Sequence, residues 1–287
     1  MTTGRLGVMF DRARPPEELP GFARDLEAAG VDELWVVEDL GWSGAISAAA
    51  AALSVTDTMT VGIGIVPAPL RNAAVLAMEL ATLERMHPSR LLAGIGHGVG
   101  AWMTQVGAGV ASPLTLLEES FVAVRGLLAG ERVEIDARYV HLAGVQLVHP
   151  PRTVPPLLAG VMKPKSLQLA GRVADGTILA EGTGPEQVTA ALQQISATSA
   201  HQIVVMTHLC ISDDPQAVET ALAPVRHEFG TLQGRAESEV YVAAGTGEAA
   251  AQRIRSLWEA GATSVVLRPV GRSPMAMVRE ALAALSG

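Results

Sequence analysis

Three consecutive stretches decide the fold: Met59-Thr-Val-Gly-Ile-Gly-Ile-Val-Pro-Ala-Pro-Leu-Arg-Asn72, the run Ala73–Met86, and Leu91-Leu-Ala-Gly-Ile-Gly-His-Gly98. The first is short, apolar and rich in β-branched residues, broken by Gly62 and Gly64 and stopped by Pro67 and Pro69, the profile of a strand covered on both faces. Ala73–Met86 contains no Gly or Pro and is dominated by Ala, Leu, Met and Glu, which favour helix. Leu91–Ile95 is a second buried strand that ends in glycines. Strand, helix and strand within about forty residues form a βαβ unit with parallel strands. Both strands end in glycine-rich sequence at their carboxyl ends, where parallel α/β folds bind ligands.

The same rhythm extends in both directions. Strands begin near residues 5, 33, 157, 176, 202 and 264, separated by helices that start at Pro15-Pro16, Ala45, Ser112-Pro113, Lys165, Pro185, Asp214-Pro215, Thr246 and Ser273-Pro274. Together with the two strands above this makes eight, and eight parallel strands in a chain of 287 residues predict a TIM (β/α)8 barrel as one domain over 1–287. An open doubly wound sheet is the other arrangement compatible with the pattern. Val133-Glu-Ile-Asp and Tyr139-Val-His-Leu alternate like a small hairpin inserted after the fourth βα unit. Gly230–Gly245 carries no clear pattern.

With 49% hydrophobic residues the chain can bury a large core. Charges or prolines interrupt every apolar run before the roughly 18 residues of a membrane span. The N-terminus enters the first strand almost directly, so no secretory signal is expected. The single Cys210 cannot form an internal disulfide, which fits a reducing cytoplasm. A net charge of −8 and only 3% aromatics exclude a basic nucleic-acid surface with stacking platforms.

Candidate chemistry lies at the strand ends. Glu38 and Asp39 are adjacent carboxylates after the second strand, suited either to a site or to a helix cap. Gly94-Ile-Gly96-His97-Gly98-Val99 departs from the dinucleotide fingerprint because Val99 stands where its third glycine belongs. The glycines can instead let a flat ligand approach the backbone. His97 among them is the histidine most suited to a cavity. Ala159-Gly160-Val161-Met-Lys163-Pro-Lys165-Ser166 joins a strand to a helix start, where free N–H groups and lysines attract phosphate. Glu181-Gly182-Thr183-Gly184 is a second glycine-rich loop of this kind. The remaining histidines lack metal-ligand spacing, so no metal is expected. Without a nucleophile elbow, Walker loop or metal motif, the chemistry points to a cofactor.

On these segments the chain resembles the luciferase-like monooxygenase superfamily, in particular its deazaflavin (coenzyme F420)-dependent, methylenetetrahydromethanopterin-reductase-like branch. Trp35-Val-Val-Glu38-Asp39 is similar to the second-strand segment beside the cofactor ring. Gly62-Ile-Gly64-Ile65-Val-Pro, followed by Arg71-Asn-Ala, resembles the third-strand bulge, which implies a non-prolyl cis peptide at Gly64–Ile65. Leu158-Ala-Gly160 and Leu169-Ala-Gly-Arg-Val-Ala-Asp175-Gly176 resemble the phosphate-binding region. The resemblance implies hydride transfer between F420 and a small organic substrate. It places the ring on Gly64 and Ile65 near Gly96 and Gly98, and the phosphate tail near Ala159, Gly160, Val161, Lys163, Glu181, Gly182 and Thr183. Glu38 or Asp39 would contact ring or substrate, and His97 would handle the proton. Asp39 stands where several members carry histidine. Val99 and Thr183 replace the glutamate and lysine of the sugar-phosphate dehydrogenases, which argues against a sugar-phosphate substrate. FMN with monooxygenase activity is the alternative, and a luciferase-like protein that binds no flavin is a third. The sparse polar positions of the helices at 45–53 and 73–86 predict a homodimer.

Overall fold

A computed structural model of the chain describes residues 4–271 and 273–287. The elements run β1 (Arg5–Met9), α1 (Leu19–Ala28), β2 (Glu33–Val36), α2 (Ala45–Ser54), β3 (Thr60–Pro67), α3 (Ala73–Met86), β4 (Leu91–Gly96), α4 (Gly100–Gln105) and α5 (Pro113–Leu128). The hairpin β5 (Val133–Asp136) and β6 (His141–Val145) follows, then β7 (Leu157–Gly160), α6 (Pro164–Val173), β8 (Gly176–Leu179) and α7 (Pro185–Ile195). The chain ends with β9 (Gln202–Ile211), α8 (Pro215–Gln233), β10 (Ala243–Gly245), α9 (Gly247–Glu259), β11 (Ser264–Pro269) and α10 (Pro274–Ser286). Several helices start on side-chain caps: Asn72, Asp214 and Thr246 each accept a first-turn backbone N–H, satisfying donors a helix start leaves free.

The strands pair in the order β9-β11-β1-β2-β3-β4-β7-β8, and β8 pairs back onto β9. That last pairing closes the sheet into the expected TIM barrel and excludes the open sheet. The antiparallel hairpin β5–β6 sits where the sequence places it, after the fourth βα unit. The patternless region resolves into the end of α8, a short turn at Glu237–Glu239, and β10, which pairs with the upper end of β9 from Leu209 to Ile211. Its three paired residues are too few to show a period-two alternation.

The barrel interior is filled by Met9, Trp35, Leu92, Leu158, Ile178, Val204, Met206 and Val266. Trp35 is the bulkiest of them and is completely buried. Glycines on its neighbours make the room: a Cβ on Gly62 would lie 2.3 Å from Trp35 Cδ2, and one on Gly7 2.9 Å from Trp35 Cδ1. Below the ring, the fully buried Glu33 Oε2 accepts hydrogen bonds of 2.7 Å from both Trp35 Nε1 and Ser264 Oγ. Glu33 Oε1 lies 2.8 Å from Arg5 Nε. The bottom of the barrel is thus closed by a paired charge, which a buried carboxylate requires.

The β3–β4 register shifts between Ile63 and Val66, and the Gly64–Ile65 peptide within that bulge is cis, as the resemblance implies. The shift turns Ile65 inward. A Cβ on Gly160 would lie 2.4 Å from Ile65 Cγ2, and one on Gly96 3.0 Å from Ile65 Cγ1. A Cβ on Gly94 would lie 2.2 Å from the Ile63 carbonyl oxygen. The expectation that the β4 glycines bring the backbone against a flat ligand is therefore corrected for Gly94 and Gly96. They make room for the bulge, and Ile65 lies over them.

Gly62→Ala should destabilise the fold by about 1–3 kcal/mol, the range for overpacking a well-filled core, and a second change of Trp35→Leu should recover part of that loss. Urea denaturation of the single and double variants checks it. Additive effects of the two changes would show that Gly62 makes no room for Trp35.

Candidate active site at the barrel mouth

Above Ile65 the carboxyl ends of the strands surround an open mouth with two lobes. The first, about 410 Å³, is lined by Ile65, His97, Gly160, Val161, Lys163 and Ile178, among others. The second, about 610 Å³, is lined by Met9, Arg12, Val37, Phe229, Leu232 and Arg268, among others. Asp39, Gly64, Val99, Trp102, Glu181 and Met206 line both, so the lobes are continuous.

In the first lobe His97 Nε2 lies 3.0 Å from Ser166 Oγ. Ser166 is buried in the first turn of α6, and Lys163 is the N-cap of that helix, which has no side-chain cap. The α6 amide groups therefore keep free donors beside a lysine and a hydroxyl, a suitable seat for a phosphate or other anion. Burial lowers the His97 pKa below the ordinary histidine value, against a weaker opposite pull from the Pro113 carbonyl. The imidazole is neutral at pH 7 and able to take up a proton.

In the second lobe a chain of ion pairs crosses the mouth. Arg12 bonds Asp39 and lies 3.2 Å from Glu228 Oε1 on α8. Arg268 Nε lies 2.7 Å from Asp11 Oδ2, and its Nη1 lies 3.4 Å from Glu181 Oε1. Burial opposes the charge of both Asp11 and Arg268, yet their pairing wins: Asp11 is held below the usual carboxylate range and Arg268 above the usual guanidinium one. Trp102 packs against Trp42 with ring centroids 6.3 Å apart, and the Arg12 guanidinium stands 4.7 Å from the Trp42 ring centre.

The residues singled out in the sequence distribute as follows. Asp39, Gly64, Ile65, His97, Gly98, Gly160, Val161, Lys163 and Glu181 line the mouth. Glu38 also borders it, but both of its oxygens are engaged: Arg71 grips them through two nitrogens, and Oε2 accepts the Ala45 N–H at 3.0 Å. In this arrangement Glu38 anchors the start of α2 and the loop after β3. Ala159 is buried beside the lobe in the β7 pairing with β4. The Gly182 carbonyl accepts the Tyr241 N–H at 3.1 Å, and a Cβ on Gly182 would meet Gln233 and Val240 at 3.3 Å. Thr183 is buried, with Oγ1 donating to the Ala180 carbonyl at 2.7 Å. The 182–183 loop is thus packed beneath the end of α8, away from the lobes.

Sequence reasoning missed Arg12, Trp102, Met206 and Arg268, which line the mouth. Arg12 follows the end of β1 and Arg268 lies in the last residues of β11, so the strand-end rule pointed to them; Trp102 lies on the short α4, too brief to leave a periodic signal. His208 is buried, its Nδ1 has no hydrogen-bond partner, and it packs edge-on against Phe229 at 5.1 Å. Among the described residues no group of three or more His, Cys, Asp or Glu side chains is placed to hold a metal ion. None of the described helices is long and apolar enough to cross a membrane.

The family model for luciferase-like monooxygenases matches residues 1–283. The chain belongs to that family. Among its relatives is the 5,10-methylenetetrahydromethanopterin reductase of Methanolobus tindarius, 28% identical over 223 residues that cover 76% of this chain and 68% of that one. Another is the F420-dependent glucose-6-phosphate dehydrogenase of Beutenbergia cavernae, 29% identical over 248 residues, 79% of this chain and 73% of that one. Of solved structures, an F420-dependent secondary alcohol dehydrogenase in complex with an F420-acetone adduct superposes with a TM-score of 0.86 at 20% identity, covering 99% of both chains. Two monooxygenases, a long-chain alkane monooxygenase and a Baeyer-Villiger monooxygenase in complex with FMN, share the barrel as well.

Burial lowers the His208 pKa from 6.5 to about 3, and the nearby Arg268 adds to the effect against the pull of Asp11. Between these values the unfolded chain binds a proton that the folded one does not, so stability must fall as pH drops from 6.5 toward 3, by up to about 1.4 kcal/mol per pH unit. His208→Asn should flatten that part of the stability–pH curve. Urea denaturation at pH 7, 6, 5 and 4 measures it, and parallel curves for wild type and variant would contradict the assignment.

Proposed function

We propose that this oxidoreductase of the luciferase-like family moves a hydride between coenzyme F420 and a small, uncharged organic substrate at the barrel mouth. The observation that carries the reading is the first lobe: an apolar floor of Ile65, Val161 and Ile178 beside an uncapped helix start with Lys163, Ser166 and His97. A flat ring with an anionic tail fits that pairing of surfaces. The F420-dependent relatives among curated proteins support the same cofactor.

When bound, F420 supplies a ring carbon that gives or takes a hydride. The protein's part is to hold the substrate against that carbon and to manage the proton that hydride transfer leaves. Ile65 and Met206 give the ring a rigid apolar support, fixed from below by Trp35. Lys163 and the α6 amides hold the phosphate. His97 Nε2 takes or returns the proton, with Ser166 Oγ as its hydrogen-bond partner. Asp39, locked to Arg12, orients the substrate between the lobes. Each cation of the second lobe is paired with carboxylates, and Val99 offers no charge, so the lobe favours a neutral alcohol or carbonyl over a sugar phosphate.

FMN in the same lobe is the second reading, favoured by the FMN-bound monooxygenase that shares the barrel. Titrating the purified protein with F420 and with FMN, followed by ring fluorescence, separates the two; binding of neither would leave a protein without flavin chemistry. His97→Asn should keep F420 affinity while turnover falls by about 10²-fold or more, the usual range for a lost acid–base group. Normal turnover with an unchanged pH profile would remove His97 from the reaction.

We also propose a homodimer. On α3, Val75, Met78 and Met86 are 47, 56 and 65% exposed, and Val148 beside them is 86% exposed. Contiguous exposed apolar surface of this kind marks an interface. Met78→Glu should shift the mass in light scattering from dimer to monomer at micromolar concentration; a monomeric wild type would contradict the proposal.

A further inference from the structure

A separate cavity of about 310 Å³ lies between α1 and α2, outside the barrel. Its walls are apolar: Phe10, Leu19, Val36, Ala48 and Ala51. The cause is in the sequence. Helix α2 reads Ala-Ile-Ser-Ala-Ala-Ala-Ala-Ala-Leu-Ser, and alanine side chains facing α1 leave space that larger residues would fill. Interiors normally pack with few voids larger than a water molecule, so a cavity of this size at the edge of a ligand site has the dimensions and lining of a binding pocket.

Its position gives it a use. Arg12 and Val37 line this cavity and also the second lobe of the mouth. Arg12 is fixed there by Asp39, by Glu228 and by the Trp42 ring, and with Val37 it forms the surface that the two spaces share, while its charged end stays in the ion-pair chain. Polar groups are confined to Arg12, Ser43 and Ser47 among the side chains of the lining.

We infer that the α1–α2 cavity is an annex of the substrate lobe that takes an unbranched aliphatic or aryl chain, so that the substrate is an alcohol or carbonyl carrying an apolar tail. Its use by substrate rests on the function proposed above, whereas the binding of an apolar chain does not. Each methylene added to a chain in the annex tightens binding about fourfold, from the ~0.8 kcal/mol of a buried methylene, until the cavity is full.

The test uses primary alcohols from butanol to decanol as ligands of the full chain, read by intrinsic tryptophan fluorescence and thermal shift. Wild type should show affinity rising with chain length. Ala48→Leu and Ala51→Leu, made separately so that one well-folded variant suffices, should abolish the rise for the longer alcohols and leave butanol and F420 titrations unchanged. Equal length dependence in wild type and both variants, or none in wild type, overturns the annex. A change of oligomeric mass in the variants with no alcohol binding to wild type assigns the cavity to a second subunit and overturns it as well. If F420 fails to bind while the alcohol series behaves as stated, the proposed function falls and the annex stands.

Discussion

The height of the barrel floor depends on one packing relation, the clearance that glycines give to Trp35 and Ile65. Gly62 and Gly7 lose their side chains to the indole ring, and Gly94, Gly96 and Gly160 lose theirs to the β3 bulge. With the interior filled by two large side chains at fixed depth, the space below is sealed and the space above is available to ligands. Interiors resist volume change because they are packed to crystal-like density. A methyl group added at any of these glycines therefore displaces the floor itself, and with it every distance in the mouth. Glu33 secures the arrangement from beneath, because its carboxylate is satisfied only while Trp35 Nε1, Ser264 Oγ and Arg5 hold their places.

On this floor the two sides of the mouth differ in kind. The β4–β7 side is apolar with an uncapped helix start, so its unmet donors face the cavity and an anion there replaces water at little loss. The β1–β11 side is charged but internally satisfied: Asp11, Asp39, Glu181 and Glu228 surround Arg12 and Arg268. Four carboxylates around two guanidiniums leave this side net negative, which repels anionic substrates even though arginines are present. The partition between an anion-seeking lobe and an anion-rejecting lobe follows from backbone donors on one side and paired side chains on the other.

Much of this was legible in the sequence because it rests on local, periodic signals. The eight barrel strands were marked by short β-branched runs and by glycine or proline at their ends, and the hairpin by its alternation. His97, Lys163 and Asp39 were reachable through the rule that ligands gather at strand carboxyl ends. What the sequence could not show was which glycine serves which neighbour. Gly96 reads as a ligand-facing glycine, and only the three-dimensional position of Ile65 shows that its space is already used. Glu38 likewise reads as a free carboxylate until Arg71, 33 residues on, is seen to grip it. Gly182 and Thr183 look like a phosphate loop until the end of α8 and the segment around Tyr241 cover them.

The segment that the sequence resolved least begins at the end of α8, the helix that borders the mouth. Phe229 and Leu232 of α8 line the second lobe, and Glu228 ties the helix to Arg12. Pro224 lies inside α8, where it removes one helix hydrogen bond and loosens the turn before it. The half of the helix beyond Pro224 keeps its own ladder and is also held by three tertiary contacts: Phe229 on His208, Gln233 on the Glu181 carbonyl, and Glu228 on Arg12. Two of these three lead to the charged layer of the mouth, through Arg12 and through Glu181. The shape of the substrate lobe and the charge pairing within it are thus one arrangement, so a residue change in the Asp39–Arg12–Glu228 chain alters the wall and the electrostatics of the lobe together.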